Sequence, residues 1–386
     1  VPVADSGSRR EEQGRNGFGR RTLLTAAAAA AASVALAGPA RGDALKEGHP
    51  SAVGVGVGAS ESGGSVARLL DVAEGDRDLG WIRDALQIAV ELELSTLPPY
   101  LCGWWSVRDR DSEAAQLIRR IVDDEMYHLG VVCNLLAAVG GQPRIKDAAP
   151  MYPGPLPGGV RPGVTVRLSG LTPSLVHDVM MAIEAPEAPL ARDGGLTIGA
   201  FYGALLDAFQ SVAPPLSTDG QLSERIGADA LAPVADLDAV ARSIEIVREQ
   251  GEGTSGSPDD AVQDDHLAHY YAFAEIYHGH RLRQNDGTWE YSGDAIPFPD
   301  ARPMAEVPLG GWPDPPEQVG GLLDRFDSAY ATVLESLESA WGGGGPSSLD
   351  AAVRAMHELE STAVQLMDTP LPNGTGTYGP QFRPPS

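Results

Sequence analysis

A glutamate and a histidine three residues apart occur twice in this chain, as Glu125-Met-Tyr-His128 and Glu275-Ile-Tyr-His278, each inside a strongly periodic helical stretch. That spacing puts both side chains on one helix face, so each motif offers a carboxylate oxygen and an imidazole nitrogen to the same point. A single such pair is ordinarily a solvated surface contact. Composition predicts roughly half a match in the whole chain, so two, each central to an amphipathic helix, call for a common interior. The acidic run Asp123-Asp124-Glu125 lies beside an apolar stripe, and buried carboxylates are costly unless cations neutralise them. These constraints predict an all-α fold: a four-helix bundle in which two helices carry the motifs, each remaining helix adds one inward carboxylate, and one or two metal ions sit between them.

The periodicity supplies the helices. Apolar residues at three- and four-residue spacing predict a helix from Trp81 to Val107, with Pro98-Pro99 kinking or breaking it. After a polar turn, Ser112 to Val139 reads as a second helix, capped by Ser112, stopped by Gly140-Gly141 and antiparallel to the first. Gly and Pro crowd the stretch from Gly140 to Pro162, an irregular insertion, after which Val164 to Leu168 reads as a short strand. Thr172 to Glu184 reads as a short helix, Thr197 to Ala213 as the third bundle helix and Asp264 to Arg283 as the fourth. Two further helices, Pro316 to Trp341 and Ser348 to Met367, are expected to pack outside the bundle.

Ligands follow from these helices. Glu125, His128, Glu275 and His278 come from the motifs. On the first helix Glu91 and Glu93 diverge by about 200°, so only one faces inward. Glu91 is chosen because it falls with Gln87 and Ile88, and Glu93 is assigned to the surface. The third predicted helix contains no Glu, so the last carboxylate is taken from the preceding segment, Glu184 in preference to Glu187. His266 and His269 are read as polar core or rim, and His280 as solvated.

The 386 residues carry 53 acidic against 28 basic side chains, a formal charge of -25 that disfavours nucleic-acid and anionic-membrane partners. Arg20-Arg21 before the apolar run Leu23 to Ala37 looks like a twin-arginine leader, which implies export of a folded protein to a periplasmic or extracellular location. The run is too short to span a bilayer, so no membrane span is expected in the mature protein. The predicted organisation is a signal peptide over 1–45, a flexible linker over 46–78 with ordered structure from Leu79, the metal-binding bundle over 79–285 and a C-terminal extension over 286–386. On the antiparallel helix pair Cys102 and Cys133 fall toward opposite ends, which precludes a disulfide and makes both buried thiols.

Three segments carry a family resemblance: Glu-Leu-Glu-Leu-Ser-Thr-Leu-Pro-Pro-Tyr-Leu (91–101), Asp-Asp-Glu-Met-Tyr-His-Leu (123–129) and His-Tyr-Tyr-Ala-Phe-Ala-Glu-Ile-Tyr-His-Gly (269–279). Together with Gly-Ala-Phe-Tyr (199–202), the helix Ala-Val-Arg-Ala-Met-His-Glu-Leu (352–359) and Gly-Pro-Gln-Phe (379–382), they resemble the ferritin-like domain of the iminophenyl-pyruvate dimer synthase family. The resemblance implies a ferritin-like four-helix bundle with extra C-terminal helices and long Pro/Gly-rich insertions. It also implies enzymes that couple amino-acid-derived imines in secondary metabolism. Ala200 departs from the family's usual Gly-Glu-Phe-Tyr and removes a carboxylate from the third helix. The leader is a second departure, since a pigment-pathway synthase works in the cytoplasm.

Three functions are therefore expected to compete. The first is a metal-dependent oxidoreductase or imine-coupling enzyme acting on a small molecule, with iron as cofactor and manganese as the alternative. The second is a non-catalytic metal-binding or storage protein outside the cytoplasm, and the third a metal-free scaffold. A homo-oligomer is compatible with each. No nucleophile triad, phosphate loop or dinucleotide fingerprint narrows the chemistry.

Overall fold

The computed structural model describes residues 64–186, 197–253, 257–259 and 266–383. The leader, most of the linker and Glu187 lie outside the described residues.

Order begins earlier than the expected Leu79. A short helix, α1 (Ser65–Leu70), buries Val66 completely and offers the Leu69 carbonyl to the Trp81 indole N–H at 2.9 Å. The central rod is α2 (Leu79–Ser106), capped by the Asp78 side chain, which accepts from the Trp81 amide. Pro98 and Pro99 do not break it. A proline removes the N–H that the carbonyl four residues earlier would use. For Pro99 that carbonyl belongs to Ser95, and the buried Tyr152 hydroxyl donates to it at 2.9 Å from the Gly/Pro-rich insertion.

Helix α3 (Glu113–Ala138) starts where Ser112 accepts from the Ala115 amide, and Gly140 follows it in the left-handed region at φ +71°. It packs along α2. Cys102 and Cys133 are both free and buried. The insertion contributes a two-residue ladder, β1 (Gly154–Pro155) with β2 (Thr165–Val166).

The helical stretch ending at Glu184 is composite: α4 (Pro173–Leu175), a π-helical turn Val176–Met180, and α5 (Met181–Glu184). It packs against α2 and α8 (His269–His278), so this segment, and not the predicted third helix, completes the bundle of α2, α3 and α8. The predicted third helix, α6 (Ile198–Val212), instead covers α2 from outside. Beside it lies α7 (Leu237–Glu252), capped by Asp236 and not anticipated above, which packs on α3 and α8. A hairpin, β3 (Glu224–Ile226) with β4 (Asp229–Leu231), lies on α3.

The predicted fourth helix is shorter than its pattern suggested. It ends at His278 because Gly279 takes φ +74° and turns the chain into a hairpin, β5 (His280–Asn285) with β6 (Thr288–Ala295). Asp286 and Gly287, both at positive φ, form the turn, the Asp-Gly signature of a two-residue hairpin loop.

Helices α9 (Glu317–Ser339) and α10 (Gly345–Met367) pack on each other, and α10 packs on α2. The chain end is pinned there by Phe382, which stacks on Trp105 with ring planes 7° apart. The fold is mostly helical with a few short strands. Among the described residues no helix is long and apolar enough to cross a membrane.

Candidate metal centre

Helix α2 turns Glu93, Thr96 and Tyr100 toward the bundle interior, an i, i+3, i+7 stripe. Helix α3 adds Glu125 and His128, the last turn of α5 adds Glu184, and the first turn of α8 adds His269. All five candidate ligands are buried, His269 completely.

They form two groups of potential donors, Glu93/Glu125/His128 and Glu125/Glu184/His269, whose ligand atoms lie within 4.8 Å of one another in each group. Glu125 belongs to both. The Nδ1 of His269 is 2.8 Å from Glu125 Oε1 and 3.8 Å from Glu184 Oε1. The Nδ1 of His128 is 3.6 Å from Glu93 Oε2 and 3.7 Å from Glu125 Oε1.

Both rings are also held from behind. His128 Nε2 is 2.7 Å from Gln250 Oε1 on α7, and His269 Nε2 is 3.3 Å from Asp124 Oδ2, itself paired with Arg120 at 3.2 Å. An amide or carboxylate oxygen accepts a proton from Nε2, which leaves Nδ1 of the neutral ring as a lone pair directed at the carboxylates. Hydroxyl groups fix the glutamates in turn: Thr96 donates to Glu125 at 2.8 Å, Tyr100 to Glu184 at 2.6 Å, and Tyr202 of α6 to Glu93.

Electrostatics show what such a centre lacks. Burial raises the Glu125 carboxyl, with the Glu184 charge adding to it, to about 6. Burial alone would lower the His128 imidazole, but Glu93 and Glu125 raise it to about 9. His269 behaves likewise: Asp124, Glu125 and Glu184 outweigh burial and hold it well above the ordinary range. Burial pushes Glu184 up, yet His269 and the Tyr100 hydroxyl keep it below a normal glutamate. Three clustered glutamates therefore demand positive charge, from protons on the imidazoles or from metal. Three hard carboxylates and two imidazoles suit iron, manganese or zinc rather than a thiolate-seeking metal. The donor set fits a metal ion.

The cluster joins Glu125, His128 and Glu184 of the predicted ligands to Glu93 and His269, but leaves out Glu91, Glu275 and His278. Glu91 turns away because the Gln87 edge of α2 faces the 140–150 insertion: Gln87 accepts from the Arg144 amide at 3.0 Å and donates to its carbonyl at 3.2 Å. Burial raises the Glu91 carboxyl and Arg144 draws it back. Gln87 is buried, but toward the insertion and not toward the bundle centre. Glu275 is buried but anchors the β5–β6 hairpin, accepting from Arg281 at 2.7 Å and the Leu282 amide at 2.8 Å. His278, the last residue of α8, stacks on Tyr291 with ring centroids 4.2 Å apart.

The two candidate ligands that the sequence reading did not select, Glu93 and His269, left signals. His269, Ala272, Phe273 and Ile276 form the buried i, i+3, i+4, i+7 stripe of α8, and His278 lies two residues out of that phase. Glu93 shares its stripe with Thr96 and Tyr100. Ala200 is exposed on the first turn of α6, a helix that contributes Tyr202 and not a carboxylate.

A cavity of about 40 Å³ adjoins the centre, bordered by Leu92, Ile183, Ile198, Val247 and Arg248. That is room for a water-sized molecule.

The Ferritin-like family model matches residues 86–278, half of the chain, a span that holds every residue of the centre. Among solved structures, a ferritin-like protein from Caulobacter vibrioides is similar at 22% identity with a TM-score of 0.56, over 78% of this chain and 97% of that one. At that identity the likeness speaks for the fold. None of the curated proteins matches the chain.

Proposed function

We propose, from the premise that this chain belongs to the ferritin-like family, that its buried centre holds two metal ions, with Glu93 and His128 on one, Glu184 and His269 on the other, and Glu125 shared. Iron is the metal the donor set and family favour, and manganese the alternative. The observation that carries this reading is the paired arrangement of His128 and His269, each with Nδ1 toward Glu125 and Nε2 braced by an acceptor.

We further propose that the protein is an oxidoreductase or imine-coupling enzyme of secondary metabolism, in line with its resemblance to the iminophenyl-pyruvate dimer synthase family. Bound iron or manganese supplies redox chemistry toward dioxygen or Lewis acidity toward an imine or carbonyl group. The chain's own contribution is orientation. Thr96, Tyr100 and Tyr202 hold the three carboxylates by hydroxyl donation, and Gln250 and Asp124 fix the ring tautomers. The apolar walls Leu92, Ile183, Ile198 and Val247 limit water at the centre. Export through the twin-arginine route belongs to the same proposal and is supported by Arg20-Arg21 and the apolar run that follows.

Elemental analysis of the protein reconstituted with Fe(II) under anaerobic conditions tests the metal reading, with about two ions per chain expected and sub-stoichiometric binding overturning it. Admission of air with and without an added imine then separates the functions. Product formation identifies an enzyme, whereas accumulation of mineral iron identifies a storage protein, the reading that the formal charge of -25 would serve by attracting cations.

A further inference from the structure

A second, larger cavity of about 190 Å³ lies on the far side of α2 and α3 from the metal centre. Its position follows from helical phase. On α2, Glu93 and Thr96 point to the centre while Leu94, Leu97 and Leu101 line the cavity; on α3, Glu125 and His128 point to the centre while Val122, Met126 and Leu129 line the cavity. Helices α9 and α10 close the opposite wall with Val333, Leu334, Leu337, Val353 and Leu359. The β3–β4 hairpin closes one end, where Leu231 and Ile226 come so close to Gly130 that a Cβ there would sit 3.0 Å from the Leu231 side chain.

Cores of this size normally interdigitate with few voids larger than a water molecule. The chamber is lined by aliphatic side chains and by Trp104, Trp105 and Trp341, so water gains few hydrogen bonds inside it. A dry apolar cavity of about 150 Å³ in another protein suffices to take up benzene. Charged groups, among them Arg119, Asp123, His357 and Glu360, also border the chamber. Of these, Glu360 is already paired with Arg110 at 3.2 Å.

We propose that this chamber between α2/α3 and α9/α10 is a binding site for a compact, uncharged hydrophobic molecule of one or two rings. Selectivity against charge follows from the lining, in which Trp104 Nε1 and the Tyr330 hydroxyl are the buried polar atoms without a partner and neither carries a charge to offset that of an ionised ligand. The site is independent of metal occupancy, since none of the five candidate ligands lines it.

The test uses the full chain and 1-fluoronaphthalene, followed by 19F NMR, with 1-naphthoate as the charged counterpart. Saturable binding is expected in the metal-loaded and chelated protein alike, with 1-naphthoate at least about tenfold weaker. Val353→Trp, which fills the chamber from α10, should abolish binding. Leu349→Phe provides a second block near the start of the same helix should the larger ring disturb folding, and circular dichroism reports whether each variant retains its helices. Absence of saturable binding, equal affinity for the carboxylate, or undiminished binding in both folded variants would overturn the proposal. Failure here leaves the metal reading intact, because that rests on ion stoichiometry.

Discussion

His128 and His269 lie ring against ring, centroids 5.5 Å apart and planes 28° from parallel, although they come from different helices. Each presents Nδ1 to Glu125, from opposite groups of donors. Two imidazoles in such proximity repel when both are protonated, and Glu125 lies between the demands of both.

This geometry distinguishes His269 from His278. His269→Ala is expected to lower the iron content by about one ion per chain, while His278→Ala, which removes ring contacts with Tyr291 and Tyr277, leaves it unchanged. Metal analysis after anaerobic reconstitution and desalting measures both. Equal losses in the two variants would return the site to the Glu-x-x-His pair.

The glutamates separate in the same way. Glu125→Gln should cost both ions, because both donor groups share that carboxylate. Glu275→Gln should keep the metal but weaken the fold by about 1–3 kcal/mol, since it loses a buried charged acceptor of the Arg281 and Leu282 N–H groups. Thermal unfolding with and without iron reads the contrast.

Gln250 braces His128 from α7 through its carbonyl oxygen. Gln250→Leu is expected to weaken metal affinity by roughly 10–100-fold, and Gln250→Glu, which retains an acceptor, to recover most of it. Competition with a chelator of known strength provides the measurement. Equal affinity in the leucine variant and the wild type would show that the contact does not orient the ring.

Chelated protein should lose stability as the pH rises. The folded His128 is raised from 6.5 to about 9, so its contribution is complete below the unfolded value and is lost as pH climbs through about 9. His269, raised well above its ordinary value, acts in the same direction. Glu125, raised from 4.5 to about 6, also leaves the native state holding more protons than the unfolded chain, so the slope is again negative. Bound metal needs the deprotonated ligands, and its stabilising effect should therefore grow over the same interval. Urea unfolding at several pH values, with and without iron, should give curves that diverge upward in pH.

Tyr152→Phe addresses the fold and not the metal. Without the hydroxyl, the Ser95 carbonyl released by Pro99 loses its donor inside the core, at a cost of about 1–3 kcal/mol. Denaturant unfolding is the check, and an unchanged midpoint would mean that another group satisfies the carbonyl.

Local periodicity was sufficient for much of this architecture. Ser112 as a cap, Gly140 as a stop, the length of α3 and the paired C-terminal helices are all consequences of neighbouring residues along one helix, and all were readable from the chain. Glu125 and His128 were readable for the same reason, since three residues of helix place them together whatever surrounds them. Glu184 was read from the apolar residues before it, and α5 brings it to the cluster.

Which face each remaining helix turns inward depended on its partners. Glu91 and Glu93 are equivalent by composition, and tertiary contacts, the insertion's grip on Gln87 and the Tyr202 hydroxyl on Glu93, decide that Glu93 faces the centre. His278 belongs to a motif as good as that of His128, but Gly279 ends α8 beside it and the hairpin claims Glu275, so the candidate centre gathers at the other end of the helix, around His269. Short-range sequence pattern determines that a carboxylate and an imidazole share a face; the direction of that face is a property of the packed assembly, because burial and charge pairing are settled by residues distant in the chain.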